Sequence, residues 1–584
     1  MCKRKYKLFY DIEVLRHFNL IVVKDINKQI KGLYIDDNGK KTFESDTFKS
    51  LRELVEKSVL IGYNNYFYDD IILTDILANN TLKQIKKRND EIISGKKINN
   101  LHKSIVSLDV FQQILSRPSL KKLEANMGMN IEETQIPFDL DRALTPEEID
   151  QMVFYCMHDV DATINVYKVR EANYFDNKRY ILGLTDNPVR QYRWNTTTIA
   201  ANLLTDSNAI LWSDYRLGKL DKDGNFEILK GMPKDVLTLF DSQKKEKKPK
   251  GKAIIKEDGT KYDFGFGGLH GVCMPAKTIR SNVHNLDVAS MYPHIMLILG
   301  ALGQSAETYK HIMETRLKAK KEGNKETSNA LKLIINSTYG LLKNQYSKLY
   351  NPQASTSVCI YGQCALYNLC KSLKAAGYEL ININTDGVAF TGDGDQWETV
   401  KSEWEKQWQL TLEHDFFKTW IQKDVNNYFA VMDNGKIKTE GGDVSRALNA
   451  DIFKKCSLRI IDIAILNYYL NGQSANETIS ENLNNPELFQ FILACGPTFG
   501  GTVDENGKQH NKVNRAFAVK KGSPLYKLRK DGAKIKFQDV PENIQIENGE
   551  VKDVNLKEIN IDLEFYIELT ERKIAAWPRK EVAM

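Results

Sequence analysis

The chain has 584 residues, of which 42% are hydrophobic and 27% are charged, and its formal net charge is +6. A chain of this length is too long for one hydrophobic core, so we expect several domains. The sequence contains no apolar run long enough for a transmembrane helix. Its eight cysteines form no Cys-x-x-Cys pair, which argues against a zinc ribbon or an iron–sulfur site. We therefore expect a cytoplasmic, multidomain protein of mixed α/β and α+β elements.

The first predicted element is a buried strand over residues 6–14. Side chains alternate along a strand, so Asp11 and Glu13 point to the same face. Two neighbouring carboxylates in an apolar strand repel each other and are costly to bury, and a divalent cation would offset that cost. An isolated Asp-x-Glu pair is more often incidental, so this strand alone does not indicate a site.

A second apolar strand, over residues 59–62, leads into a polar segment that contains Asn64 and Asp69. A carboxylate that follows a strand can converge with strand carboxylates on a divalent ion. The register of this segment stays open, because Asn65 and Asp70 come directly after these two residues and carry the same groups.

The third element is a helix whose predicted N-cap is Thr145. A proline at the first helical position and a glutamate at the third make this a strong helix start. Tyr155 and Asp159 lie four positions apart and therefore share one face of the helix. Asp161 points elsewhere, and we interpret it as a solvated or capping residue.

In this order and spacing, the three segments resemble the exonuclease motifs of family B DNA polymerases, D-x-E, N-x3-(F/Y)-D and Y-x3-D. Carboxylates that hold two divalent ions suit phosphodiester hydrolysis, since one ion activates water and both stabilise charge on phosphorus. The resemblance implies a 3'–5' exonuclease in which Tyr155 orients the attacking water and Asn64 contacts the single-stranded DNA end. The implied ligands of two Mg²⁺ ions are Asp11, Glu13, Asp69 and Asp159.

A lysine-rich segment over residues 243–252 is interpreted first as a solvated loop and second as a phosphate-contacting loop. It is followed by a glycine-rich segment that contains Gly267 and Gly268, and glycines allow tight turns and close approach to a ligand. We place a domain junction near these residues.

Two aspartates of the next region are expected at the ends of strands. A strand ends at Asp287, and a later strand over residues 378–383 leads into a turn that contains Asp386. The Asp-Gly pair at residues 386–387 favours a two-residue hairpin turn. Each feature alone is more often structural, but the two carboxylates could meet across adjacent strands and hold two magnesium ions.

A helical hairpin is predicted between these aspartates, with helices over residues 305–322 and 325–344 and a turn at Gly323. Arg316 and Lys332 lie at about the same distance from the turn, so the two cations are nearly level. Arginine supplies a bidentate fork and lysine a point charge, which together suit a triphosphate. The alternative interpretation is an ordinary solvated cationic face.

Together these segments resemble polymerase motifs A, B and C of family B. Motif A (D-x-x-S-L-Y-P) occurs at residues 287–293 with Met291 in place of leucine, motif B (K-x3-N-S-x-Y-G) at residues 332–340, and motif C (D-T-D-S) at residues 384–387. The segment at residues 266–268 is similar to the family's Y-x-G-G element. Six motifs in family order make chance agreement very unusual.

The resemblance implies a role for each matched residue in template-directed DNA synthesis. Asp287 and Asp386 bind two Mg²⁺ ions, for which Mn²⁺ substitutes, and Tyr292 packs under the sugar and excludes a 2'-hydroxyl. The other implied residues of the nucleotide site are Arg316, Lys320 and Lys332 at the triphosphate, Asn336 and Tyr339 at the nascent base pair, and Ser290. Residues implied in DNA binding are Asn64, Gly267, Gly268 and Tyr428.

Three positions depart from the family pattern. Asn384 replaces the first aspartate of motif C, and Gly387 replaces its serine. Tyr428 resembles the tyrosine of a K-x-Y element, but Asn426 stands where that element has lysine. We therefore expect residues elsewhere in the chain to supply part of the contacts with the primer.

The motif spacing predicts a compact enzyme of phage type. The intervals between motifs A, B and C leave no room for the inserted subdomains of protein-primed phage polymerases, and we expect the N-terminal domain of larger family members to be absent. The expected domains are a ribonuclease H-like exonuclease (1–185), a palm in two parts (186–303 and 346–445), a fingers hairpin (304–345) and a thumb (446–584), in a right-hand arrangement.

Expected partners are primer-template DNA, dNTPs and phage replisome proteins, with no membrane, and the chain is expected to be a monomer in the cytoplasm of an infected bacterial host. Three alternatives stay open: an exonuclease with a weakened polymerase module, a protein-primed polymerase, and a catalytically silent DNA-binding scaffold.

Overall fold

The computed structural model describes residues 4–186, 191–222, 224–496 and 498–580. The chain divides into two compact units. The first comprises Met1–Asn195, Ala450–Ile460 and Ile479–Tyr566, and the second comprises Thr196–Asn449, Ile461–Thr478 and Ile567–Met584. The predicted thumb segment, 446–584, contributes residues to both units, and the five predicted functional domains remain predictions.

The strands of the described residues fall into four stretches of the chain, over residues 6–109, 252–288, 379–440 and 491–546. In chain order they are β1 (Tyr6–Val14), β2 (Phe18–Lys24), β3 (Ile30–Asp37), β4 (Lys40–Glu44), β5 (Ser58–Gly62), β6 (Ser107–Asp109), β7 (Lys252–Glu257), β8 (Thr260–Gly265), β9 (Gly268–Cys273), β10 (Thr278–Val288), β11 (Glu379–Asn384), β12 (Gly387–Thr391), β13 (Leu412–Asp424), β14 (Asn427–Met432), β15 (Ile437–Glu440), β16 (Phe491–Ala494), β17 (Phe499–Asp504), β18 (Gln509–His510), β19 (Val513–Ser523), β20 (Leu525–Arg529), β21 (Lys534–Lys536) and β22 (Ile544–Ile546).

Helices lie between many of these strands. In chain order they are α1 (Leu51–Lys57), α2 (Asp69–Leu77), α3 (Leu82–Ile93), α4 (Leu120–Asn126), α5 (Pro146–Arg170), α6 (Asp176–Gly183), α7 (Thr196–Leu204), α8 (Lys234–Ser242), α9 (Met291–Ile298), α10 (Ala306–Lys321), α11 (Lys325–Lys343), α12 (Pro352–Ala375), α13 (Gln396–Trp408), α14 (Ser445–Leu448), α15 (Arg459–Asn471), α16 (Ala475–Glu481) and α17 (Leu563–Ile574). The mixed α/β class with several sheets is therefore confirmed. Within the described residues, no helix combines the length and apolarity that a membrane crossing requires.

The first unit is built around a six-stranded sheet in the order β4-β3-β2-β1-β5-β6. Strand β1 is antiparallel to β2 and parallel to β5. Its side chains alternate between two hydrophobic cores: Tyr10 packs in one, whereas Phe9 packs in the other with Cys156 and Val160 of α5. Asp11 and Glu13 share the parity of Phe9, so they point to the sheet face that α5 covers.

Helix α5 begins where the sequence predicted. The Thr145 side chain accepts a hydrogen bond from the Glu148 backbone N–H, the Glu148 side chain accepts one from the Thr145 backbone, and Pro146 is the first helical residue. Two orphan amide groups are satisfied in this way, which fixes the start of the helix. Asp161 is partly exposed, in part as predicted, but its Oδ1 also pairs with Nζ of the buried Lys24 at 2.7 Å.

The second unit contains a nine-stranded antiparallel sheet in the order β15-β14-β13-β10-β12-β11-β9-β8-β7. Strand β10 lies near its middle and pairs with β12 on one side and with β13 on the other. The predicted helical hairpin is present as α10 and α11. The Asn324 side chain caps α11 by accepting a hydrogen bond from the Thr327 backbone N–H, and Gly323 adopts a φ of 73° in the turn.

Residues 447–580 combine helices and strands. Within the described residues of this segment, seven strands, β16–β22, lie between α15 and α17 and form a three-stranded and a four-stranded sheet. No disulfide joins the cysteines of the described residues. Cys2 lies outside the described residues.

Candidate active sites

The first candidate site lies in the first unit, where β1 faces α5. A cavity of about 510 Å³ is lined by Asp11 and Glu13 from β1, Asn64 and Asp69 from the segment after β5, and Asp159 from α5. The structure thus brings together five of the six residues predicted for the exonuclease. Carboxylates that are distant in sequence meet because the strand and the helix pack face to face.

Burial makes this carboxylate cluster costly to ionise. The side chains of Glu13, Asp69 and Asp159 lie in residues less than a tenth exposed. Burial raises the pKa of Asp11 to about 7, with a further contribution from the charge of Asp159, and burial raises the pKa of Asp159 to about 6. Burial likewise raises the pKa of Glu13 and of Asp69 well above the ordinary values.

The donor set of this cavity suits magnesium. It offers hard carboxylate oxygens from four side chains, which Mg²⁺ prefers. The Asp69 Oδ1 atom is buried without a hydrogen-bond partner, and a buried acceptor left unpaired is costly unless something binds it. A divalent cation would satisfy this oxygen and would offset the mutual repulsion of the carboxylates.

The structure distinguishes the two asparagines and the two aspartates between which the sequence left the choice open. Asn64 is exposed at the cavity, whereas Asn65 is fully buried and donates from Nδ2 to Asp70 Oδ1 at 3.2 Å. Asp70 points into the fold, where it accepts hydrogen bonds from Tyr10 and Ser107 at 2.5 Å and 2.6 Å and pairs with Arg193. Asp70 therefore has a structural environment, and Asp69 faces the cavity.

Tyr155 lies beside the cluster on α5, although it does not line the cavity described above. Its ring is 4.5 Å from the ammonium group of Lys121. Burial raises the pKa of Tyr155 strongly, with further contributions from the charges of Asp159 and Glu13. The phenol consequently stays protonated and can donate a hydrogen bond.

Two neighbours of the cluster were not predicted. Lys121 on α4 forms a short ion pair with Asp159 and a second one with Glu124 at 3.1 Å. Cys156 donates from Sγ to Asp11 Oδ2 at 3.7 Å. Burial raises the pKa of Cys156, so it is a thiol donor here. Lys121 gives no signal in the sequence, because a lysine on a short amphipathic helix is usually solvated.

The second candidate site lies on the nine-stranded sheet of the second unit. Asp287 is at the end of β10 and is directly opposite Gly387 of β12. The Val288 backbone N–H donates to the Asp386 carbonyl oxygen at 2.8 Å. The pairing of β10 with the β11–β12 hairpin therefore brings Asp287 and Asp386 next to each other, and the charge of Asp287 adds to burial in raising the pKa of Asp386.

The Asp287 carboxylate is held by two polar neighbours. Its Oδ2 accepts a hydrogen bond from Asn285 Nδ2 at 2.7 Å and lies 4.0 Å from Nζ of Lys438. Burial raises the pKa of Asp287, and the positive charge of Lys438 is the largest influence that opposes this rise. Lys438 was not predicted, because it lies on β15, which is distant from the motifs in sequence.

The motif C turn differs from the predicted Asp-Gly turn by one residue. Asn384 pairs with Gly387, so the two loop residues are Thr385 and Asp386, and Thr385 adopts a φ of 59°. Gly387 is already in β12. A Cβ atom at this position would lie 2.0 Å from Asp287 Oδ1, so the glycine leaves room for the carboxylate and is not required by the turn.

A cavity of about 250 Å³ adjoins Asp386. Its lining includes Ser290 and Tyr292 at the start of α9, together with Asn336 and Tyr339 of α11. The rings of Tyr292 and Tyr339 lie 4.4 Å apart between centroids. The structure therefore gathers four of the predicted nucleotide-site residues around one predicted metal ligand.

The three predicted triphosphate cations do not line this cavity. Lys320 and Lys332 are exposed on α10 and α11, and Arg316 is partly exposed. Arg316 Nε is buried without a hydrogen-bond partner. Within the described ranges, none of the three pairs with a carboxylate, which leaves their charges available to an anion.

The residues predicted to contact DNA have different environments. Gly267 is exposed in the hairpin loop between β8 and β9. Gly268 has a φ of 136°, and a Cβ there would lie 3.1 Å from the Thr385 side chain, so this glycine permits close packing on the motif C turn. Tyr428 is buried and stacks on Trp420 at 4.3 Å.

Comparison with known proteins gives two curated relatives. DNA polymerase II of Escherichia coli is 32% identical over 82 residues, which cover 14% of this chain and 10% of that protein. DNA polymerase 1 of Pyrococcus abyssi is 24% identical over 209 residues, which cover 32% of this chain and 27% of that protein. The matched regions thus span about a tenth and about a quarter of the relatives.

No family model matches the chain. A solved structure of the family B DNA polymerase from Pyrobaculum calidifontis aligns with 99% of this chain and 78% of its own, at 14% identity and a TM-score of 0.41. The two curated relatives are DNA polymerases, and the predicted resemblance of this chain to family B DNA polymerases is confirmed.

Proposed function

We propose that the chain is a template-directed DNA polymerase that adds dNTPs to a primer 3' end and carries a 3'–5' proofreading exonuclease, in phage-type DNA replication. The observation that carries the polymerase assignment is the pairing of β10 with β12. It brings Asp287 and Asp386 together beside a cavity that Tyr292 and Tyr339 line. Two adjacent carboxylates next to an aromatic pocket suit the transfer of a nucleotide.

In the polymerase site, Asp287 and Asp386 would hold two Mg²⁺ ions. When bound, these ions supply activation of the primer 3'-hydroxyl and stabilisation of charge on the leaving group. Arg316, Lys320 and Lys332 bind and orient the triphosphate, and Tyr292 stacks under the sugar, where it leaves no space for a 2'-hydroxyl. Catalysis then rests on positioning and electrostatics.

In the exonuclease site, four carboxylates would hold the metal ions that activate water and stabilise the charged phosphorus centre. The protonated Tyr155 phenol orients the attacking water, and the exposed Asn64 contacts the single-stranded 3' end. The proposed ligands are Asp11, Glu13, Asp69 and Asp159.

The same resemblance supports the remaining parts of the proposal. The six-stranded sheet with parallel β1 and β5 is compatible with a ribonuclease H-like exonuclease, and the nine-stranded sheet and the α10–α11 hairpin with a palm and fingers. We propose a monomer that binds primer-template DNA, dNTPs and phage replisome proteins in an infected bacterial cytoplasm.

Primer extension tests the polymerase assignment. The full-length chain with Mg²⁺ and four dNTPs should extend a matched primer, and Asp386→Ala should remove extension while the degradation of single-stranded 3' ends continues. Extension that persists in Asp386→Ala would show that the polymerase site is wrongly assigned.

The alternative of an exonuclease with a weakened polymerase module rests on the changes at residues 384 and 387. The Gly387 geometry argues against it, because this residue makes room for the Asp287 carboxylate. The same extension assay separates the two possibilities, since a weakened module would degrade single strands but would not extend the primer.

A further inference from the structure

The first unit contains another cavity, which we call the basic cavity, and the residues that line it include none of the predicted site residues. It has a volume of about 970 Å³ and is lined by one side of α3 and by the turns that join β1 to β2 and β3 to β4. Ligand sites in proteins commonly measure about 300–1,000 Å³. The basic cavity is therefore large enough for a small organic ligand.

Positive charge exceeds negative charge in this lining. Two exposed lysines of α3, Lys83 and Lys87, are four positions apart and share one face of the helix. Lys41 is exposed on β4, and within the described residues none of these three lysines forms an ion pair. Their charges are available to a phosphate group. The charged side chains of the lining are Arg16, Lys41, Lys83, Lys86 and Lys87 against Asp36, Asp90 and Glu91.

Two of the three carboxylates are already paired with cations. Asp90 Oδ1 lies 2.6 Å from Lys86 Nζ. Glu91 pairs with Arg88 at 3.2 Å and with Lys96 at 3.0 Å. These pairs neutralise Asp90 and Glu91, so neither carboxylate opposes the binding of an anion strongly.

The third carboxylate, Asp36, is only partly satisfied. The residue is 1% exposed, and its Oδ1 accepts a hydrogen bond from the Gly39 backbone N–H at 3.0 Å. Its Oδ2 is buried without a hydrogen-bond partner, which is costly unless a donor binds it. The side-chain amides of Asn79 and Asn80 also line the cavity and offer both donors and acceptors. A ligand that suits this lining combines an anionic group with hydrogen-bond donors.

Helix α3 is a wall that the basic cavity shares with the exonuclease cavity. Lys83 and Lys87 line the basic cavity, Asn89 and Ile93 line the exonuclease cavity, and Lys86 lines both. Hydrolysis of the last phosphodiester of a 3' end releases a nucleoside 5'-phosphate. Such a molecule joins an anionic phosphate to a base that carries hydrogen-bond donors, which is the combination that the basic cavity suits.

We propose that the basic cavity binds a nucleoside 5'-phosphate unit. Lys83 and Lys87 bind its phosphate, and Asp36 Oδ2 accepts a hydrogen bond from an amino group of the base, as carboxylates do from cytosine. Two sources supply such a unit: the free mononucleotide and a nucleotide within single-stranded DNA. The inference goes beyond the proposed function, because binding at this cavity requires neither catalytic site and no metal ion.

Equilibrium binding of dCMP to the full-length chain tests the site. The chain carries Asp11→Ala and Glu13→Ala, and EDTA is present, so that no ligand is hydrolysed. We expect dCMP to bind more tightly than inorganic phosphate or deoxycytidine, since each of these supplies only one of the two contacts. Lys83→Gln should raise the Kd of dCMP roughly tenfold, the loss expected for one charge-assisted hydrogen bond.

The substitution Asp36→Asn tests the contact with the base separately. It keeps an oxygen that can accept from Gly39 but replaces the other carboxylate oxygen with a donor. The Kd of dCMP should rise, whereas the Kd of inorganic phosphate should stay unchanged. Lys103→Gln is the matched control for the lysine variant, because Lys103 is exposed in the same unit and does not line the cavity. The melting temperature of each variant checks the fold.

An oligodeoxycytidylate distinguishes the two sources. If its Kd also rises in Lys83→Gln, the cavity binds a nucleotide within single-stranded DNA; if only the Kd of dCMP rises, the cavity binds the free mononucleotide. Equal binding of dCMP and inorganic phosphate, or affinities for dCMP and oligonucleotide that are both insensitive to Lys83→Gln, would overturn the inference. Because no turnover is measured, this result is independent of whether the proposed polymerase and exonuclease activities are found.

Discussion

At the scale of single residues, the polymerase site has no room for a side chain at Gly387. A Cβ at this position would lie 2.0 Å from Asp287 Oδ1, so Gly387→Ala must displace the carboxylate. Misplacement of a catalytic group by about 1 Å can cost about 100-fold in rate. We expect Gly387→Ala to lower the kcat of primer extension by about that factor while single-strand degradation stays at the wild-type rate.

The control for this prediction is Gly442→Ala. Gly442 belongs to the same unit, and an added Cβ there meets no atom within 4 Å. Primer extension by Gly442→Ala should equal that of the wild type. A Gly387→Ala variant that extends primers normally would show that the carboxylate geometry at Asp287 is not critical.

The exonuclease carboxylates predict how magnesium and pH together affect stability. Burial raises the pKa of Asp11 from 3.8 to about 7. Between these values the folded chain holds a proton that the unfolded chain has lost, so metal-free stability falls as the pH rises. Mg²⁺ binds the deprotonated form. The gain in melting temperature that Mg²⁺ gives should therefore grow as the pH rises toward about 7 and then level off.

Thermal unfolding with and without Mg²⁺ across this pH range measures the effect. Asp11→Asn should reduce the magnesium-dependent gain, because it removes one ligand. Asp150→Asn, at an exposed position of α5, should leave the gain intact. A magnesium effect that is independent of pH in the wild type would contradict the assignment of these carboxylates as ligands.

At the scale of elements, Arg515 of β19 fixes the position of α4 within the first unit. Its side chain is fully buried and donates to the carbonyl oxygens of Ala125 and Met129 at 3.2 Å and 3.0 Å and to Gln490 at 2.8 Å. Helix α4 carries Lys121, the partner of Asp159. The buried guanidinium thus connects the sheet of β19 to the exonuclease cluster.

Arg515→Leu should therefore affect stability and exonuclease activity together. The variant leaves several buried acceptors without donors, which costs about 3 kcal/mol in the free energy of unfolding. Denaturant unfolding measures this loss, and exonuclease activity should fall while primer extension persists below the melting temperature. Arg529→Leu is the control, since Arg529 is half-exposed in a pair with Asp531. Equal effects of both substitutions would contradict the role of Arg515.

Local sequence signals predicted helix ends correctly where residues close together in the sequence determine those ends. The capping box at Thr145 and the Gly323 turn each fixed a helix end, because their hydrogen bonds and dihedral angles are local. The strands of residues 491–546 were missed because several are only two to four residues long and their pairing depends on distant contacts such as those of Arg515. The motif C turn lies one residue earlier than predicted. Gly387 belongs to β12, where it leaves room for the Asp287 carboxylate, and it is not a residue of the turn.

At the scale of the whole molecule, the motifs predicted which carboxylates come together but not their surroundings. Asp11, Glu13, Asp69 and Asp159 meet at one cavity, as their order and spacing indicated. The cations that approach the two clusters, Lys121 and Lys438, were missed. Each lysine meets its aspartate through the packing of helices or strands that are distant in sequence, and no short sequence pattern predicts such packing.

The central claim is that one chain both removes and adds nucleotides at a primer end. Its most direct test is the time course of a primer with a mismatched 3' end in the presence of Mg²⁺ and four dNTPs. The wild type should shorten the primer and then extend it, Asp11→Ala with Glu13→Ala should stall at the mismatch, and Asp386→Ala should only shorten it. A wild type that neither shortens nor extends the primer, or an exonuclease variant that still removes the mismatch, would contradict the claim.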